Sequence, residues 1–328
     1  MKPSSPFLVG LQPWLPWPLH RWVWWTEPVR AERLAALRIA LAGVLLLDIL
    51  LTYLPHATVF YGAGSLGSPE IFAYLSRAPR WHWSLLRWME DPWTVILMML
   101  IWTTATFCLL IGWWTRINAI LVWVLSTSFA NLNPYLENAG DEVRGILLFY
   151  LMLCPCGAVW SLDHWRRRRS GAVTTPVFIH PWPLRLLFVQ MTLIYFCNGL
   201  YKLRGSDWIS GNSLYYVLSD LTLARWSYAH LPTPYLLTRI LSYTVLIWEV
   251  AFPLLMLLPW LLGSMFWLCR LPERIGHPVV TWSRWLRIVA LGFGVLFHLG
   301  SFVSLEIGMF APYMLCFYVP LIRMKDEG

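Results

Sequence analysis

Charge is what this chain has least of. Only 13% of its residues are Asp, Glu, Lys or Arg, about half the share of an ordinary soluble domain. A soluble globular reading is therefore excluded. Metal-ligand patterns are missing as well: there is no HExxH, no paired Cys/His spacing and no DxD cluster, so no metal site is expected. No Gly-rich phosphate loop starts a βα unit, since Gly62-Ala63-Gly64 stands in a loop, and no nucleophile elbow supports Ser-His-Asp catalysis. The six cysteines are scattered, and the one close pair, Cys154-Pro155-Cys156, is CxC rather than CxxC. That favours small buried residues over a redox or metal pair. The arm from Met1 to Trp25 is rich in Pro and Trp and has no apolar core of a cleavable signal peptide.

What fills the space is apolar. Hydrophobic residues make up 58% of the chain and mean hydropathy is +0.56. The 23 Trp and 14 Tyr exceed what a soluble core needs, and suit the aromatic belts at the two faces of a bilayer. The expected fold is all-α: a polytopic membrane protein of about eight transmembrane helices, with interfacial amphipathic segments and no soluble domain. The runs lie near 34–54, 93–113, 117–133, 143–160, 184–203, 236–260, 285–303 and 306–322, each about long enough to cross the hydrocarbon layer. With the N-terminus inside, 17 of the 25 basic residues fall on cytoplasmic segments, anchored by the run Arg166–Arg169. This asymmetry, rather than nucleic acid, accounts for the +8 net charge.

The expected organisation is a cytoplasmic arm over 1–25, one transmembrane domain over 26–322 and a short cytoplasmic tail over 323–328. The protein would be a multi-pass component of the inner (plasma) membrane, its main partner the lipid bilayer. Residues 26–33 read as an amphipathic approach helix capped by Thr26, with Pro28 in its first turn. Residues 80–89 read as an interfacial segment, and the loops 55–92 and 204–235 as aromatic cover on the outer face.

Ionisable groups in or beside the spans are candidates for function because they are costly there. They are Asp48, Glu137, Asp141, Glu142, Arg144, Lys202, Glu249, His298 and Glu306. Most fall near the outer ends of their spans, with Glu249 deepest. Each also has a structural reading. Asp141 and Arg144, three apart, suit an intrahelical pair. Asp48 suits a polar contact with a neighbouring helix, Glu249 a pair with an arginine of another span, and His298 an interhelical hydrogen bond. Spacing alone makes Lys202 a snorkelling cation.

The segment Tyr195-Phe196-Cys197-Asn198-Gly199-Leu200-Tyr201-Lys202-Leu203, with Asp207-Trp208 and Gly211, resembles the lysine motif of the vitamin K-dependent γ-carboxylases. It more closely resembles their bacterial relatives, the HTTM (horizontally transferred transmembrane) domain proteins. Phe297-His298-Leu299 and Glu306-Ile307-Gly308-Met309-Phe310 are similar to a second block of that family. Arg38 with Asp48, Gly112-Trp113-Trp114-Thr115-Arg116, Gly140-Asp141, and Pro155-Cys156-Gly157 with Ser161-Leu162-Asp163 follow in order.

The resemblance implies that Lys202, as a neutral amine, deprotonates a reduced quinone (vitamin K-type or menaquinone). The oxygenated quinone then removes the γ-proton of a peptide glutamate, and the carbanion captures CO2. Lys202, Asp141 and His298 would be catalytic, and Tyr195, Asn198, Trp208, Glu249 and Glu306 would line the quinone site. The substrate would be a peptide or protein on the outer face. Two departures stand out. Asp141 occupies the place of a histidine in the eukaryotic carboxylase, and a carboxylate beside Lys202 would hold it charged. The large lumenal domain of that enzyme has no counterpart before Gly328. Two other expectations therefore stand beside a carboxylase: an accessory protein that binds quinone, lipid or a partner, and a redox accessory to a thiol-disulfide oxidoreductase acting through Cys197 or the Cys154/Cys156 pair.

Overall fold

The computed structural model describes residues 28–65, 68, 83–87, 89–133, 138–172, 176–226, 234–268 and 273–321. The chain divides into two units: Arg30–Ile179 with Ile307–Gly328, and His180–Glu306 with Met1–Val29. The arm over 1–25, the tail over 323–328, Glu137, Cys269 and, in the interfacial segment 80–89, residues 80–82 and 88 lie outside the described residues.

The first unit opens on α1 (Glu32–Asp48), which buries Leu34, Leu37, Leu41 and Leu45 at helical spacing. Its backbone then widens into a π turn over Ile49–Tyr53 and tightens into a 3-10 turn over Leu54–His56 before α2 (Ala57–Phe60). Pro55 has no N–H to give, so a regular ladder cannot run through it. α3 (Pro92–Ile111) is capped by Asp91, whose carboxylate accepts from the Thr94 N–H at 3.0 Å, with Pro92 in the first turn. α4 (Thr115–Leu132), α5 (Ala139–Leu153), α6 (Leu162–Arg169) and α12 (Phe310–Cys316) complete the unit. Packing runs α1 on α3, α3 on α4, α4 on α5 and α5 on α12.

The second unit is built on α7 (Trp182–Lys202), α10 (Tyr235–Leu268) and α11 (Glu273–Ser304), with α10 packed against both. The short helices α8 (Ser206–Ile209) and α9 (Ser213–Ser219) follow α7 and dock on α10. α10 carries Pro253 and Pro259 and α11 carries Pro278, yet both stay helical. In hydrocarbon an unbonded backbone group has no water to turn to, so a break in the ladder is costly there.

Among the described residues, five helical stretches are long and apolar enough to cross a membrane: Glu32–Phe60, Pro92–Ile111, Trp182–Lys202, Tyr235–Pro259 and Thr281–Ser304. In the last, only 17% of the apolar window is buried in protein, which leaves Leu296 and Val303 facing outward as lipid-solvated residues do. The expected runs 117–133 and 143–160 correspond to α4 and α5, and 306–322 to the shorter apolar stretch Phe310–Leu321. α5 starts and stops earlier than hydropathy suggests. The Asn138 side chain and Asp141 form a capping box at its start, and Cys154, forced toward extended geometry by Pro155, ends it. Of the approach helix expected over 26–33, whose cap Thr26 lies outside the described residues, only Glu32 and Arg33 are helical, as the start of α1. Val29–Arg30 is extended, and the Ala31 N–H donates to the Val177 carbonyl at 3.1 Å. A β-branched valine with a backbone acceptor nearby gains more from pairing than from a helical start.

Candidate functional site

In the second unit, α7 and α10 touch where Gly199 meets Val250. A Cβ on Gly199 would lie 2.8 Å from the Val250 nitrogen and 3.0 Å from the Glu249 carbonyl carbon, so only glycine permits the approach. Lys202 stands three residues further along the same face. Its Nζ donates to Glu249 Oε1 at 2.7 Å, with 18% of the lysine side chain exposed and 3% of the glutamate's. The same Nζ lies 4.3 Å from the centre of the Trp208 ring and 5.9 Å from that of Phe297. Cation–π attraction and desolvation both tighten such an arrangement. Trp208 is delivered by the turn after α7, in which the Gly205 N–H donates to the Lys202 carbonyl and the Trp208 N–H to that of Gly205.

Deeper in the unit, the Tyr195 hydroxyl and His298 Nε2 are hydrogen-bonded at 2.7 Å, with His298 wholly buried. The Tyr195 ring packs at 4.6 Å on both Trp248 and Phe252, and the Trp248 indole N–H donates to the Ala290 carbonyl, tying α10 to α11. The buried Glu249 Oε2 has no hydrogen-bond partner among the described residues. The pair thus offers one engaged carboxylate oxygen and one without a partner among the described residues, beside the Lys202 Nζ at the edge of an aromatic wall.

A second charged cluster lies in the first unit. Arg144, fully buried, reaches Asp141 Oδ1 at 2.7 Å and Asp48 Oδ2 at 3.3 Å. The Tyr53 hydroxyl donates to Asp141 at 2.9 Å, and the Tyr313 hydroxyl to Asp48 at 2.7 Å. The rings of Tyr53, Trp102 and Tyr313 surround the guanidinium at 5.4 to 5.7 Å. Residues five apart, such as Asp48 and Tyr53, fall on different sides of a regular α-helix. The π turn between them brings both to Arg144.

The structure therefore brings Lys202, Glu249 and Trp208 together in one unit, which also holds the Tyr195–His298 pair. Asp141 belongs to the other unit, where it forms the intrahelical pair with Arg144. Glu249 pairs with Lys202 and not, as spacing suggested, with an arginine. Asn198 is exposed on α7. Glu306 is exposed and held by Arg225 at 3.3 Å, its own N–H donating to the Leu223 carbonyl. Tyr53, Tyr313 and the spacing role of Gly199 escaped the sequence reading. The one signal for the last was a glycine three residues before the lysine. Cys108, Cys154, Cys156 and Cys316 are buried free thiols, and Cys197 is exposed. Among the described residues, no group of three or more His, Cys, Asp or Glu could hold a metal ion.

Against known proteins, the model of the HTTM domain matches residues 26–272. An uncharacterised Bacillus subtilis (strain 168) protein, YitO, is 26% identical over 118 residues, which is 34% of this chain and 36% of that protein. The chain thus spans about a third of that relative's length. No solved structure matches.

Proposed function

The chain belongs to the HTTM domain family, and from that premise we propose that this integral membrane protein is an acid–base enzyme acting on a reduced quinone in the manner of the γ-carboxylases. The observation that carries the reading is the 2.7 Å contact of Lys202 with Glu249 at the foot of an aromatic wall. Whether the pair is written as ammonium and carboxylate or as amine and carboxylic acid, it holds the same number of protons and can take up one more. Either form is compatible with the 2.7 Å contact between the two side chains. That meets the objection raised by a charged lysine: the base is the pair, and its accepting atom is either the Lys202 amine or Glu249 Oε2.

The residues present fit a hydroquinone. A phenolic hydroxyl needs a buried acceptor, which Glu249 Oε2 supplies, and a flat ring needs aromatic faces, which Trp208 and Phe297 supply. When bound, the reduced quinone would supply, through its oxidation by O2, a base strong enough to take the γ-proton of a glutamate, so that the carbon can bond to CO2. The chain's own part is to take the hydroxyl proton at Lys202–Glu249 and to keep water away with the Trp248, Phe252 and Phe297 rings. The site would open to the outer leaflet of the inner membrane, with a peptide or protein as the acceptor of CO2.

The test uses the full chain in proteoliposomes with menaquinol or a reduced vitamin K-type quinone, a Glu-containing peptide, CO2 and O2. Quinone epoxide and carboxylated peptide should form in equal amounts, and Lys202→Ala should abolish both while thermal unfolding still shows a folded protein. No epoxide from wild type with any such peptide overturns the enzyme reading and leaves a binding or accessory role. Full turnover by a cysteine-free variant removes the thiol-disulfide alternative.

A further inference from the structure

Outside the Lys202 site, the first unit carries a basic cavity at the junction of α3 and α4. α3 ends at Gly112, with φ +72°, where a Cβ would fall 2.3 Å from both Arg38 Nη1 and the Ser161 Cβ. Glycine there lets Arg38 reach across from α1. Arg38 is wholly buried, donates to the Trp160 carbonyl, and has no partner at Nε or Nη1 among the described residues. Asp163 opens the first turn of α6 and accepts from the Trp114 N–H at 3.0 Å, the Thr115 N–H at 2.7 Å and the Thr115 hydroxyl at 2.6 Å. Trp114 and Trp160 hold φ of 43° and 50°, a region that non-glycine residues enter at a cost and that clusters at functional positions.

On this framework lies a cavity of about 360 Å³, lined by Thr115, Arg116, Cys156, Asp163 and Arg167 among others. Its formal charge is positive. Arg116 and Arg167 are exposed and Arg38 is buried behind the Gly112 turn, against one carboxylate already accepting three hydrogen bonds. Arg167 uses Nη2 on the Gly157 carbonyl at 2.8 Å, which fixes its guanidinium at the cavity. Trp113, Trp114, Trp160 and Trp165, each within two residues of a lining residue in the chain, are 38–60% exposed. Exposed indoles beside arginines mark the head-group level of a bilayer.

We propose that this cavity binds the phosphate of an anionic phospholipid head group. Guanidinium groups match phosphate oxygens, and basic pockets between helices are a known way to hold such head groups. The volume exceeds that of a lone phosphate, and the surrounding indoles give acyl chains a surface to lie on. This assignment is independent of the quinone reading.

Lipid binding is measured on the purified full chain by native mass spectrometry and by thermal unfolding, with phosphatidylglycerol, phosphatidylcholine or inorganic phosphate added. Phosphatidylglycerol should stay bound and raise the unfolding temperature, and the other two should do neither. The double variant Arg116→Gln/Arg167→Gln should bind it about tenfold more weakly, the loss expected for charge-assisted bonds. Arg169→Gln, whose guanidinium stacks on Trp165 at 4.1 Å rather than lining the cavity, should bind as wild type does. Equal stabilisation by phosphatidylcholine overturns the proposal. So does equal stabilisation by inorganic phosphate, which would make the ligand a soluble anion, or an equal loss in Arg169→Gln, which would make the effect diffuse surface charge. The lipid comparison on wild type stands by itself if the double variant misfolds.

Discussion

The two units each bury opposite charges in apolar surroundings, and they do so in opposite ways. In the first, one arginine sits between two aspartates, two tyrosine hydroxyls donate to the same carboxylate oxygens that the arginine reaches, and aromatic rings close the surface. In the second, one lysine meets one glutamate, one carboxylate oxygen stays open, and the lysine keeps an exposed edge. Arginine is always charged and planar, and suits a fixed network. Lysine changes its protonation readily when desolvated, and suits a site that exchanges a proton. The same ingredients therefore make a rivet in one unit and, on the proposed function, a reactive pair in the other.

That contrast can be broken most decisively at Arg144. Arg144→Met leaves Asp48 and Asp141 facing each other without a cation, and should cost about 3–5 kcal/mol of stability in thermal or denaturant unfolding in detergent. A variant as stable as wild type would show that the network is not the rivet described. Gly199→Ala comes next. The added Cβ must push α10 away, at about 1–3 kcal/mol, and by parting Lys202 from Glu249 it should lower turnover more than stability. Retained turnover would mean that the close approach does not set the pair.

Lys202→Met should cost about 1–2 kcal/mol, at the low end for a charged bond because the lysine is partly exposed. The double variant Lys202→Met/Glu249→Leu should regain most of that stability and no activity. Recovery of activity in the double variant would refute a role for the pair in chemistry.

The smallest effect is expected at Asp163. Burial pushes its carboxyl up, but the Thr115 hydroxyl, the Thr115 and Trp114 N–H groups and Arg167 together hold it below the usual carboxylate range. Its folded pKa is thus lower than its unfolded one. The stabilisation is complete above the unfolded value, about 3.9, and is lost as pH falls through the lower folded value. Asp163→Asn should therefore lose under about 1 kcal/mol near neutrality, given its solvent access, and flatten the acid limb of the stability curve. An unchanged acid limb would count against it.

Much of the fold was legible because it follows from local composition. Apolar runs of bilayer length mark helices whatever their neighbours, and the end of α7 at Lys202 was read to within a residue. The ends of α5 were not, since a capping box and a proline outrank hydropathy at helix termini. The intrahelical Asp141–Arg144 pair and the helix contact of Asp48 could be read from spacing and cost. Tyr313 could not, as it lies 265 residues from the aspartate it bonds.

By itself, then, the sequence determined a helical membrane protein, its scarce charges as candidates, and Lys202 as the residue to watch, because charge in hydrocarbon is costly wherever it stands. Only the tertiary structure decided partners. It gave Lys202 to Glu249, Asp141 to Arg144 and Glu306 to Arg225. Ion pairs form at contact distances of a few ångströms. Those distances are set by how closely helices approach at residues such as Gly199, which a linear reading of charge does not contain.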